Sequence, residues 1–132
     1  MRREFELREE DESFLERRGF AWETIRDGGV LWVLIHGFPL PDGYNHPEAS
    51  VAVMMTPGYP DAPLDMAYFY PALARADGKP VGGLTPHNLD GKIWQQWSRH
   101  RTPQHPWRSG FDNLETHTLM VEEWLKKEFQ KR

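Results

Sequence analysis

Cysteine is absent from the 132 residues. Its absence excludes disulfides, thiolate-bound zinc, iron–sulfur clusters and any thiol nucleophile. An apolar run of the roughly 18–20 residues that cross a bilayer is also missing. Neither sign of charge dominates: 16 Lys and Arg stand against 20 Asp and Glu, for a formal net charge of −4. That balance speaks against a dedicated nucleic-acid binder, which carries a net basic face. The opening Met1-Arg2-Arg3-Glu4-Phe5-Glu6 turns acidic where a secretory leader would turn apolar, so a cytoplasmic location is expected. There is no Gly-x-Ser-x-Gly elbow and no glycine-rich phosphate loop; Asp77-Gly78-Lys79 and Val81-Gly82-Gly83 read as turns. No cofactor is expected.

What is present suits one domain over residues 1–132. A chain of this length buries roughly two-thirds of the surface its unfolded form exposes. The acidic Asp11-Glu12-Ser13, followed by Arg17-Arg18 and Gly19, predicts a helix with a narrow apolar stripe lying at the surface. Phe20–Arg26 alternates as a strand. Asp27-Gly28-Gly29 is a hairpin turn signal. Val30–His36 is nearly all apolar, as in a strand buried on both faces. Ser50–Met55 and Asp65–Tyr70 predict two further strands, separated by the proline-rich Pro57–Pro63. Pro71–Ser109 has little periodicity and predicts loops, one or two short helical turns and room for a short strand pair. Asp112 or Asn113 caps a final helix whose apolar face carries Leu114, Val121, Trp124, Leu125 and Phe129. The expected class is α+β: helix, a four-stranded antiparallel meander, loops, then a helix on the sheet.

Six histidines are the first candidates for chemistry. His36 falls in a buried strand and reads as a hydrogen-bonded core or edge histidine. His46 belongs to a turn and His117 borders the core. His87, His100 and His105 lie in the loop-rich stretch, at no spacing that marks a metal site, so no metal is expected. From Trp94 to Arg108 the chain is basic and aromatic, with no acidic residue between. Such interleaving suits single-stranded nucleic acid, but equally suits aromatic core packing with surface arginines, and the net charge favours the latter.

An ordered set of landmarks goes further. A strand runs into Tyr59-Pro60-Asp61-Ala62-Pro63, then another strand, then Pro86-His87-Asn88, Gly91-Lys92-Ile93-Trp94, and Trp107 ahead of the last helix. This resembles the ubiquitin-conjugating-enzyme (UBC-like) pattern of Tyr-Pro-x-x-Pro, His-Pro-Asn, Gly-x-Ile-Cys and Trp-Ser-Pro. Phe38-Pro39-Leu40-Pro41, Gly58–Ala62 and Trp94–His100 are similar to the bacterial family E branch in particular. The departures are specific. Trp94 stands at the family cysteine, Pro86 and His87 are transposed, the Asn88–Trp94 loop is shorter, and Trp94–Trp107 is longer. Thioester transfer needs a thiolate, and an indole supplies neither a nucleophile nor a leaving group.

The resemblance therefore implies a relative without thioester chemistry. It would bind a ubiquitin-like modifier or a ThiF-type activating enzyme, with a JAB-type peptidase in the same system, as adaptor or pseudoenzyme. Tyr59, Pro60, Trp94, Trp97, Arg99 and Trp107 are the candidate partner-binding residues. His87, Asn88 and His100 are the candidate catalytic ones; Asn88 resembles the family asparagine that stabilises an oxyanion. The alternatives are an unconventional conjugating enzyme with a His or Ser acceptor, Ser98 included, and a nucleic-acid-binding module. Trp94 is expected beside a groove near Tyr59 and His87.

Overall fold

The computed structural model describes residues 1–130. Helix α1 spans Glu9–Arg17, followed by β1 Ala21–Asp27, β2 Val30–Pro39, β3 Glu48–Met55, β4 Ala67–Tyr70, β5 Leu84–Leu89, β6 Lys92–Trp97 and helix α2 Leu114–Lys127, which runs into a 3-10 turn at Glu128–Gln130. All pairings are antiparallel, in the order β1-β2-β3-β4-β6-β5. The sheet thus has six strands, not the four expected. The extra pair, β5–β6, hides its period: Pro86 interrupts β5, and Ile93 on β6 is exposed. Its turn was nevertheless written in the chain. Asp90 and Gly91 both take positive φ (53° and 72°), the conformation of a two-residue hairpin that Asp-Gly favours.

Strand alternation sorts the core into two layers. One carries Trp22, Val33, Ile35, Val51, Val53, Phe69 and Trp97, covered by Phe14 and Leu15 of α1 and by Leu114, Val121 and Leu125 of α2. Helix α1, expected at the surface, buries Phe14 and Leu15 fully because they fall with Asp11 on one helical face. A bulge between Ile35 and Phe38, at Gly37 with φ 66°, turns Phe38 into this same layer.

The second layer lies on the opposite face: Ile25, Trp32, Leu34, Ala52, Tyr68, Leu89 and Trp94. No helix covers it. Instead the sheet curls over it. The His87 ring on β5 lies 5.6 Å from Trp32 on β2 and 5.0 Å from Tyr68 on β4. At the rim, the Asp90 amide donates to Asp27 Oδ2 at 2.6 Å, and Arg2 forks onto Asp90 while also holding Glu23. The two ends of the sheet are thereby latched, and the aromatic layer is enclosed by its own strands.

Helix α2 starts on a capping box: Asn113 Oδ1 accepts from the Thr116 amide, and Thr116 Oγ1 accepts in return from the Asn113 amide. Tyr44 donates to the Leu125 carbonyl and Arg75 to the Glu128 carbonyl, satisfying two C-terminal acceptors.

Candidate functional site

Trp94 and His87 are direct cross-strand partners on β6 and β5. The strand register puts them on the curled inner face, where Trp94 is 2 % exposed and its ring lies 5.6 Å from Tyr70. The Trp94 Nε1 is buried with no hydrogen-bond partner among the described residues. Asn88, one residue on, pairs with Ile93 and faces the other way, exposed. His87 and Trp94 therefore meet, whereas Asn88 does not converge on them.

Tyr59 is not near Trp94. It packs on the helix-covered side, because the Pro57–Pro63 loop passes over the start of α2. Its hydroxyl donates to Asp11 Oδ2 at 2.8 Å and accepts from the Leu114 amide at 2.7 Å. Pro60, reached through a cis peptide, accepts at its carbonyl from Trp107 Nε1 at 2.9 Å. Tyr59, Pro60 and Trp107 thus gather at one place, but as a clasp between loop and helix. Burial pushes the Asp11 carboxyl up, opposed by the Tyr59 hydroxyl, and burial pushes the Tyr59 phenol up. The Asp11 Oδ1 has no hydrogen-bond partner among the described residues. Tyr59→Phe strips the donor from Asp11 and the acceptor from Leu114 together. It is expected to cost about 2–3 kcal/mol in a urea unfolding series; a loss within error of zero would remove this clasp from the account.

Trp97 is fully buried against Phe69, its Nε1 donating to Gln95 Oε1, so it offers no surface. Arg99 bridges the Gly82 carbonyl and Glu128 Oε2 and tethers the end of α2. His100 is exposed, with Nδ1 2.7 Å from Asp65 Oδ2.

Beyond these residues lies a groove of about 450 Å³ between the 100–108 segment and α2. Arg101, His105, Thr116, Leu119, Met120 and Trp124 contribute to its lining. His117 stands behind it, fully buried. Burial holds its pKa down at about 4, so the ring is neutral. Nε2 lies 2.8 Å from the Met66 carbonyl, which can only accept, so Nε2 carries the proton and Nδ1 accepts from Arg101 Nη2 at 3.3 Å. Met66 takes a positive φ of 61°, uncommon for a side chain, immediately before β4. His117 thus pins a left-handed residue and orients Arg101 in one step. Sequence reasoning missed this pair. The basic, acid-free stretch ending at Arg108 was the only signal, and it could not say that Arg101 turns inward.

On the inner sheet face a second polar row crosses three strands. Glu23 Oε2 lies 2.7 Å from His36 Nε2, and His36 Nδ1 lies 2.8 Å from Ser50 Oγ. Arg2, and then His36, hold the Glu23 carboxyl down at about 2. The ionised carboxylate can only accept, so Nε2 donates to it, while Nδ1 pairs with the Ser50 hydroxyl. His36 is accordingly the hydrogen-bonded strand histidine expected of it.

An antiparallel sheet with both helices on one face, and with Tyr-Pro, His-Asn and Gly-x-Ile in that order, defines an E2-like architecture. The chain matches the family model for prokaryotic E2 family E over residues 7–128 and belongs to that family. No curated protein and no solved structure gave a match. Among the described residues, no helix is long and apolar enough to cross a membrane.

Proposed function

We propose that this E2-like protein works in the cytoplasm in a ubiquitin-like modification system without forming a thioester. It acts as an adaptor or pseudoenzyme that binds the modifier or its ThiF-type activating enzyme, with a JAB-type peptidase as a further partner of the same system. The observation that carries this reading is Trp94. It stands where the resembled enzymes have cysteine, is 2 % exposed, and sits in a chain with no cysteine at all. A fold retained around a position that has lost its nucleophile is suited to binding and not to acyl relay.

A second reading is favoured by His100. Its exposed imidazole beside Asp65 has the histidine–carboxylate pairing of a general base or acyl acceptor. One experiment separates the two. The protein is incubated with modifier, activating enzyme and ATP, and divided between capture on immobilised modifier or activating enzyme and intact mass under acid quench. Capture in the range of about tens of micromolar with no mass adduct is the expected result. A stable adduct or a modified acceptor establishes the second reading, and no capture by either partner sinks the first.

A further inference from the structure

Among the described residues, Arg101 is a partly buried cation with no ion pair. Its guanidinium is partly buried beside Trp107, with the ring centroid 4.7 Å from Cζ. Nη2 is spent on neutral His117, and Nε reaches only weakly to the Leu64 carbonyl at 3.4 Å. Among the described residues, no carboxylate lies within ion-pair distance. The two nearby acids are occupied: Asp65 Oδ2 by His100, and Asp112 Oδ2 by the Arg108 amide, with Arg108 Nε at 3.5 Å. Burial draws the Arg101 pKa down, the direction expected of a guanidinium desolvated without full compensation; Asp112 and Asp65 offset only part of it. Arginine remains charged throughout. Buried charges in folded proteins are paired, and Arg101 lines the groove.

The geometry points to the Arg101 groove as a binding site for the carboxylate end of an extended peptide. The charge count selects a carboxylate over a phosphate dianion. Among the lining residues Arg101, Arg108 and Lys127 stand against Asp112 and Glu123, and with Arg108 beside Asp112 the groove keeps a surplus of one positive charge, which a monoanion matches. The remaining wall selects a peptide over a free small anion. Leu119, 48 % exposed, Met120 and Trp124 form an apolar strip along α2 that gives the residues preceding the carboxylate something to pack on. His117 is the positioning residue: as an acceptor it holds Nη2, and among the described residues no hydrogen bond occupies Nη1. This site lies on the opposite side of the sheet from Trp94. Its occupancy does not depend on the adaptor reading, and either can fail alone.

The test uses an N-acetylated pentapeptide of alanine and leucine, as the free acid and as the C-terminal amide, titrated into the full chain by calorimetry with inorganic phosphate as a third arm. The acid is expected to bind about tenfold or more tighter than the amide, and phosphate more weakly than the acid. Arg101→Gln is expected to reduce the acid to the affinity of the amide. Should that variant unfold, Leu119→Glu at the exposed rim is expected to weaken both peptides through the lost apolar contact and the acid several-fold more than the amide, because only the acid meets the new carboxylate. Equal binding of acid and amide, acid binding that survives the substitution, tighter binding of phosphate, or no binding of any probe overturns the proposal.

Discussion

Trp94→Cys is expected to yield a destabilised and inert protein, not a restored thioester carrier. The substitution places a thiol where the resembled family has one, and the cross-strand pair with His87 puts the position in register. But the indole is part of the enclosed layer with Ile25, Trp32, Leu34, Tyr68 and Leu89. Replacing it with a small side chain removes most of its buried area and leaves a cavity, a change that costs about 3–5 kcal/mol for a core tryptophan. The thiol left behind is desolvated, which raises its pKa and suppresses the thiolate. Two measurements check this: the urea midpoint falls, and a thiol reagent reacts with the folded protein far more slowly than with the unfolded chain. A stable variant whose thiol reacts promptly, and takes the modifier in a thiol-sensitive bond, would show that Trp94 plugs a competent site. The adaptor reading would then give way to one of simple loss of the nucleophile.

His117 carries the second large effect. Its folded pKa of about 4 lies below the 6.5 of a free imidazole, because the ring is buried and the neutral form is the one the core accepts. Its contribution to stability is complete above pH 6.5 and is lost as pH falls from there toward 4. That interval corresponds to on the order of 3 kcal/mol. Lowering the pH below 6.5 should therefore bring an early fall in the urea midpoint, ahead of carboxylate titration. His117→Gln offers an amide N–H to the Met66 carbonyl and a carbonyl to Arg101, with no proton to gain, and should flatten this part of the curve. Other groups act in other directions. Glu23, held down at about 2, gives up its stabilisation as pH falls through the acid range, and Asp11, raised by burial, loses stability as pH rises. The difference between wild type and His117→Gln isolates the histidine. Curves that run parallel from pH 7 to 4 would mean that His117 is not held neutral.

Much of the fold was legible because it rests on local signals. Gly19 ends α1, the turn after Asp27 joins β1 to β2, and Asn113 caps α2. The alternation through Phe20–Arg26 marked a strand, and the nearly all-apolar Val30–His36 marked one buried on both faces. The hairpin β5–β6 escaped because its burial is supplied by distant strands. Trp94 and Trp97, three residues apart, belong to opposite faces of one strand and to different core layers. No pattern within the segment requires a sheet that curls back until His87 meets Trp32. The candidate site divided along the same line. Chemistry was readable wherever it depends on residue identity alone: without cysteine there is no thioester. Convergence was not readable. His87 and Trp94 came together, Asn88 turned away, and Tyr59 and Trp107 became a clasp at the start of α2.

The sequence by itself determined the strands and helices it marks with caps, turns and periodicity, the likeness to conjugating enzymes, and the impossibility of their usual relay. Those properties are written in single residues and short spacings. Only the tertiary structure decided that six strands curl around an aromatic layer, that Trp94 is sealed inside it, and that Arg101 faces a groove with neutral His117 behind it. Each of these depends on contacts between residues far apart in the chain, and desolvation, which sets both the burial of an indole and the need of a guanidinium for an anion, arises only when those contacts form.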